Sequence, residues 1–226
     1  MTWQRAVVIG SSGGIGAALV SALRSRGAEV LALSRPDIDV TDEATVAAAA
    51  DAVRNAGDID LVIVATGILA PEGAVPEKSL REVDPDQVSR VLAVNTIGPL
   101  LVAKHFLPLM PRADRSAFAV LGARVGSIQD NRLGGWYSYR ASKAALAMIV
   151  RTLAIEAARS RPEAVICALH PGTVETALSA PFQTSSAKRN IFAPSAAAGH
   201  LLDVLDRLRP SQSGGHFAWD GSEIPA

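Results

Sequence analysis

The chain holds a single cysteine, Cys167, among 226 residues, so no disulfide can form within it. Cys167 lies in the apolar run Ala164–Leu169, where a lone thiol reads as a small buried hydrophobe rather than a nucleophile. Aromatic residues are also scarce, at 4%, while hydrophobic residues reach 49%. The core must therefore be built of Ala, Val, Leu and Ile, as in a parallel sheet held between alanine-rich helices. An excess of either charge is lacking too, 22 basic residues balancing 22 acidic ones. With no net field, nothing argues for nucleic acid or an anionic membrane as a partner. No apolar stretch reaches the length needed to cross a bilayer. The short stretch Ala6–Gly10 runs straight into glycines instead of forming a signal-peptide core. A soluble, cytoplasmic protein without a metal site is expected.

What is present is a regular alternation of two hydrophobic periods. Val7–Ile9, Val30–Leu33, Leu61–Ala65, Ala117–Leu121, Val165–Leu169 and His216–Trp219 are short apolar runs that read as buried strands. Gly14 to Arg26 carries Ile15, Leu19, Val20 and Leu23 at helical spacing and is closed by Gly27. Helical spacing recurs from Thr41 to Arg54, from about Pro85 to Leu109, from Tyr137 to Arg159 and from Ser195 to Leu208. Strand and helix alternating this way predict an α/β chain: a single Rossmann-fold domain over 1–226, doubly wound on a mostly parallel sheet of about seven strands, with helices on both faces. Gly122–Gly135, polar and glycine-rich, has the composition of an active-site loop, and Ser179–Ala193 that of a substrate-covering loop.

Gly10-Ser11-Ser12-Gly13-Gly14-Ile15-Gly16 lies between the first strand and the first helix. Gly10 permits a tight turn, Gly14 lets the backbone approach a pyrophosphate, and Gly16 lets the helix pack closely on the sheet. The helix N-terminus then points at the phosphates. The second strand ends at Leu33-Ser34-Arg35. A carboxylate there would bind the ribose hydroxyls of NAD, whereas a cation suits the 2′-phosphate of NADP. Arg35 favours NADP(H). Asp37, close enough to turn toward the ribose or to neutralise Arg35, keeps NAD(H) open.

Tyr139 and Lys143 are four apart in a helical segment and share one face. A nearby ammonium stabilises phenolate, lowering tyrosine from its ordinary value of roughly 10 toward the range of general acid–base chemistry. Tyr137 has Ala141 at the same offset and lacks such a partner.

Further runs accompany the pair: Gly126-Ser127-Ile128, then Gly134-Gly135-Trp136-Tyr137-Ser138-Tyr139-Arg140-Ala141-Ser142-Lys143, and a tail with Phe217-Ala218-Trp219-Asp220-Gly221 and Ile224-Pro225. On these residues and the glycine loop the chain resembles the short-chain dehydrogenases/reductases from Val7 to about Thr176. Within them it is most similar to the C-factor-like branch and its insect sniffer-type carbonyl reductase relatives. The resemblance implies an NAD(P)-dependent oxidoreductase that transfers a hydride between nicotinamide and a small-molecule carbonyl or secondary alcohol, with Tyr139 as acid and base. It implies that Asn95 holds a water in a proton relay behind Lys143, and that Asp39 and Val40 meet adenine. Ser12, Ser34, Ala65, Thr66 and Gly67 fall in cofactor-contacting segments, and Pro171, Gly172, Val174 and Thr176 in the segment that cradles the nicotinamide carboxamide. The helices around Leu92–Leu109 and Ala144–Ala157 are apolar on more than one face, which together with the resemblance points to a homodimer or homotetramer.

The sequence departs from the family pattern twice. Val64-Ala65-Thr66-Gly67 stands where Asn-Asn-Ala-Gly is usual, keeping only the glycine. Leu121-Gly122-Ala123 stands where Ile-Ser-Ser is usual, removing the serine that meets the substrate carbonyl oxygen. Loss of one such donor costs roughly 100- to 1000-fold in turnover. Ser127 is the nearest hydroxyl and a candidate to replace it; otherwise water or a substrate group serves, or the enzyme is slow. The rival expectation is a dinucleotide-binding regulatory or structural protein with little turnover.

Overall fold

The computed structural model describes residues 3–179 and 191–226. Six strands form one parallel sheet: β1 (Arg5–Ile9), β2 (Glu29–Leu33), β3 (Leu61–Val64), β4 (Ser116–Leu121), β5 (Ala164–His170) and β8 (His216–Ala218), in the order β2-β1-β3-β4-β5-β8. The sheet thus has one strand fewer than expected. Among the described residues no further strand pairs with the edge strand β2, beyond which the chain folds into turns over 34–42. A separate two-stranded ladder pairs β6 (Thr173–Val174) with β7 (Ile191–Phe192).

Side-chain alternation along the strands sorts the core into two layers. Val7, Ile9, Val62, Val64, Phe118, Val120 and Ile166 face α2 (Glu43–Ala56), α4 (Gly98–Phe106) and α5 (Tyr137–Ala157), where Val46, Val102, Phe106 and Val150 complete the layer. Ala6, Val8, Ile63, Ala119, Val165 and Leu169 face α1 (Gly14–Ser25) and α6 (Pro194–Arg207), packing on Leu19, Leu23, Leu201 and Leu205. Cys167 belongs to this second layer, and burial pushes its thiol up to about 12, as befits a hydrophobe.

The helix expected over 85–109 is interrupted. It runs as α3 (Pro85–Leu92), a π-helical turn over Ala93–Ile97, α4, and a short 3-10 turn. The whole stretch Pro85–Leu109 is, by length and composition, long and apolar enough to cross a membrane, which corrects the sequence reading. It packs here as a core helix, with Val91, Val102, Ala103 and Phe106 buried.

The sheet order reverses at β1, whose neighbours β2 and β3 lie on opposite sides. Ligands bind such sheets in the crevice beyond the strand C-termini at this reversal. A cavity of about 440 Å³ opens there.

Candidate active site

The loop after β1 is shaped by its glycines. Gly10 adopts φ +87°, and a Cβ on it would press on the backbone of Ala65 and Thr66 at 3.0 Å. A Cβ on Gly16 would overlap the Gly10 carbonyl oxygen, so no other residue fits that first helical turn. Helix α1 starts behind Gly13 with no side-chain cap and no acidic residue in its first turn, leaving its N–H groups for an anion. Ser12 lines the crevice, while Ile15 turns inward against the α1–α6 layer. Thr176 closes over the loop, its Cγ2 lying 3.0 Å from where a Gly14 Cβ would be.

Ser34 and Arg35 line the crevice where β2 ends, and Arg35 is exposed. Asp37 is not part of the crevice wall; its amide turns back to the Ser34 carbonyl. Asp39 and Val40 are in the wall. The Asp39 carboxylate accepts from the Thr41 hydroxyl at 2.7 Å and the Thr41 amide at 2.9 Å, which together hold its carboxyl below the usual carboxylate range. Opposite lie Ala65, Thr66 and Gly67. The Thr66 hydroxyl is buried with no hydrogen-bond partner among the described residues. A close-approach glycine loop, an uncapped helix start, a cation at the end of β2 and an orphaned buried hydroxyl fit a phosphorylated dinucleotide.

Gly67 connects this crevice to α5. A Cβ there would sit 3.6 Å from Lys143 Nζ and 3.5 Å from Asn95 Oδ1. Lys143 is buried and donates to the Leu121 carbonyl at 2.7 Å. Tyr139 is half-buried one turn earlier, its ring centroid 5.8 Å from Lys143 Nζ and edge-on to Trp136 at 6.1 Å. Burial pushes the Tyr139 phenol up to about 12 and the Lys143 ammonium down to about 8. The expected acidification of the phenol by the ammonium does not appear, because loss of water around both groups outweighs their attraction at this separation. The phenol is held in its neutral, proton-donating form.

Asn95, in the π-helical turn, clamps the loop after β3 to α5. Its Oδ1 accepts from the Ile68 amide at 2.8 Å, and its Nδ2 donates to the Ile68 carbonyl at 2.8 Å and to Ser142 Oγ at 3.0 Å. The amide oxygen accepts only one of these bonds and keeps a second lone pair that a relay water behind Lys143 can use. π-Helical turns concentrate at functional sites. Ser142 passes the link on, donating to the Tyr139 carbonyl at 2.8 Å, and Thr96 donates to the Ser142 carbonyl.

The structure turns Ser127 toward the tail, and it is not among the residues lining the dinucleotide crevice. Its hydroxyl accepts from the Asp130 amide at 3.1 Å and reaches the Ala226 carbonyl at 3.4 Å, and the residue lines a second cavity of about 330 Å³ under the tail. The reason for Gly122 is also steric: a Cβ there would lie 2.6 Å from His216 Nε2, so the imidazole from β8 occupies the space of the first missing serine. Burial lowers His216 to about 4, keeping it neutral.

Pro171 and Gly172 follow β5, and Gly172 (φ +77°) packs under Phe192 and Trp219, whose rings meet at 4.7 Å. Val174 is buried in the β6–β7 ladder. The expected substrate-covering loop lies, for residues 180–190, outside the described residues. Sequence reasoning missed Glu77 and His216, buried or half-buried polar groups placed from distant elements that carry no local motif, and gave no role to Ser142 within the Tyr139–Lys143 run. Among the described residues no cluster of acidic, His or Cys side chains could hold a metal.

A family model described as enoyl-(acyl carrier protein) reductase matches residues 34–206. The C-signal protein of Myxococcus xanthus is 36% identical over 148 residues, covering 65% of this chain and 83% of that protein. The 1-hydroxy-2-glutathionyl-2-methyl-3-butene dehydrogenase of a Rhodococcus species is 29% identical over 96% of both chains. Among solved structures, the NADPH-bound carbonyl reductase from chicken fatty liver superposes with a TM-score of 0.84 at 25% identity over the full length of both chains. The carbonyl reductase Sniffer of D. melanogaster shares the fold, with a TM-score of 0.81 at 23% identity over 99% of both.

Proposed function

The chain belongs to the short-chain dehydrogenase/reductase family, and on that premise we propose that it is an NADP(H)-preferring oxidoreductase that reduces a small-molecule carbonyl, or oxidises the corresponding secondary alcohol. The observation that carries this reading is the meeting of Gly67, in the wall of the dinucleotide-shaped crevice, with Lys143 Nζ, one helical turn from Tyr139.

A bound nicotinamide would supply the hydride. The protein's own residues do the rest. The glycine loop and the start of α1 hold the pyrophosphate, and Arg35 meets the 2′-phosphate. Tyr139, kept neutral by burial, gives its proton to the developing alkoxide oxygen. Lys143 places a positive charge behind the phenolate that this leaves, while Asn95 and Ser142 fix the backbone of the turn between them. With Ala123 where a serine is usual, the site lacks one donor to the carbonyl oxygen, which slows turnover without removing the proton path.

The test is consumption of NADPH against a panel of aldehydes, ketones and quinones. NADPH is expected to be favoured over NADH, and Arg35→Ala to raise the KM for NADPH about 10-fold or more with little change for NADH, as befits loss of a charge-assisted contact. Equal loss with both cofactors would remove Arg35 from phosphate recognition. Cofactor binding without turnover on any carbonyl, unaltered by Tyr139→Phe, would favour a regulatory dinucleotide-binding protein instead.

We further propose that the chain pairs with a second copy. Ile97, Leu100, Met148 and Ile155 are exposed on neighbouring stretches of the Ala93–Ile97 turn, α4 and α5, a concentration of apolar surface that suits burial between subunits. Sedimentation of the purified protein as a monomer at micromolar concentration would end that expectation.

A further inference from the structure

Helix α5 carries the Tyr139–Lys143 pair but begins poorly. Its 21 residues start after Trp136, which sits in the left-handed region at φ 52° and supplies no side-chain cap. Gly134 and Gly135 before it have φ of 63° and 64°, so the chain enters the helix through three left-handed residues in a row. The first turn contains no acidic residue. A helix start in this state leaves its N–H groups unsatisfied and its dipole uncompensated, and the residues that suffer first are Tyr137, Ser138 and Tyr139.

The missing cap arrives from 61 residues earlier in the chain. Glu77, in the loop between β3 and α3, is only 1% exposed. One carboxylate oxygen accepts from the Ser138 amide at 3.3 Å and the other from the Ser138 hydroxyl, while the Glu77 carbonyl accepts from the Trp136 amide. Burial alone would push this carboxyl up, but the Ser138 hydroxyl, backbone amides and Gln87 outweigh it and keep it below the usual carboxylate range. A carboxylate buried this far is costly unless every lone pair is used. Here it is used at the N-terminus of one helix, next to one tyrosine. The same loop also supplies Ile68, Ala70, Pro71 and Glu72 to the crevice wall. Glu77 therefore ties the wall of the cofactor crevice to the backbone of the residue beside Tyr139.

We propose that Glu77 is a positioning residue for the reaction: as a cap supplied from a distant loop of the same chain to the first turn of α5, it fixes the backbone from which Tyr139 reaches the substrate. This rests on Tyr139 being the proton donor, as proposed above. The structural half of the claim is independent of that reading and is tested separately.

The experiment compares Glu77→Gln, Glu77→Asp and Ser138→Ala with the unaltered full chain by amide hydrogen exchange, NADPH titration and carbonyl-reduction kinetics. In Glu77→Gln, exchange at residues 137–140 is expected to accelerate roughly 10-fold, the size of a lost helix cap, while residues 146–157 keep their protection. The kcat is expected to fall about 10-fold with the NADPH Kd within about 3-fold, since a misplaced proton donor hurts chemistry more than binding. Glu77→Asp, which retains the charge, is expected to recover part of both effects. Unchanged exchange at 137–140 overturns the capping role, and acceleration spread evenly over α5 reduces Glu77 to a general stabiliser. Localised acceleration with an unchanged kcat overturns the positioning role. Should Glu77→Gln fail to fold, Ser138→Ala removes one of the same contacts and is read by the same criteria. Should the unaltered chain reduce no carbonyl, the oxidoreductase reading fails and, with it, the role in the reaction, while the exchange data still decide the cap.

Discussion

Tyr139→Phe is expected to cut the kcat of carbonyl reduction by about 100- to 10,000-fold while leaving NADPH binding nearly intact, the range for loss of a positioned general acid. The substitution deletes one oxygen from a half-buried ring whose packing against Trp136 involves only the ring itself. The pH dependence follows from the same burial. Tyr139, pushed up to about 12, keeps its proton throughout the working range, so it does not set the profile. Lys143, lowered to about 8, is charged below that value and loses its charge above it. Reduction by the unaltered protein is therefore expected to be flat toward neutral pH and to decline as pH rises through about 8, because the positive charge that favours phenolate formation is then lost. A kcat profile that climbs through that region would show a different group in control. Retained turnover in Tyr139→Phe would remove the tyrosine from the chemistry.

Ala123→Ser is expected to act in the opposite direction, raising kcat by roughly 100- to 1000-fold if the side chain at 123 faces the substrate carbonyl oxygen as the family serine does. Ala123 is buried and follows β4 in extended backbone at φ −155°, a conformation that serine adopts without strain. By contrast Ser127→Ala is expected to leave kcat within about 2-fold, since its hydroxyl serves the Asp130 amide and the tail. Restoring a serine at the preceding position is not equivalent, because Gly122 is where the His216 ring stands. The two variants measured side by side separate the readings: a gain in Ala123→Ser identifies the vacant donor position, and a loss in Ser127→Ala would return the role to Ser127.

The sequence made legible whatever is local or periodic. Strand positions, the glycine loop and the Tyr139–Lys143 spacing follow from patterns within a few residues of one another; in the folded chain the glycine loop lines the crevice and Lys143 approaches its wall at Gly67. Arg35 was legible for the same reason, since a strand end fixes what lies next to it. Glu77 and His216 were not. Each works on a residue more than 50 positions away, and neither an isolated glutamate nor an isolated histidine signals which helix start or which glycine it will reach. Ser127 shows what spacing leaves out: 12 residues before Tyr139 is a sensible separation along the chain, but the 3-10 turn at Arg124–Gly126 turns the hydroxyl toward the tail. The protonation of Tyr139 was equally out of reach, because the competition between a neighbouring charge and lost solvent depends on burial, which spacing does not report.

The π-helical turn at Ala93–Ile97 has a consequence for how this region can vary. One surplus residue advances the helical phase by about 100°, and three successive side chains exploit it. Val94 goes to the crevice, Asn95 to the loop after β3 and Thr96 to α5, while Phe106 downstream still lands in the core. Removing any one residue from the turn would straighten the helix and rotate one half against the other, forfeiting either the three-way anchorage or the buried apolar stripe. The segment is thus tolerant of exchange in kind and intolerant of any change in length, the reverse of the rule for a surface loop.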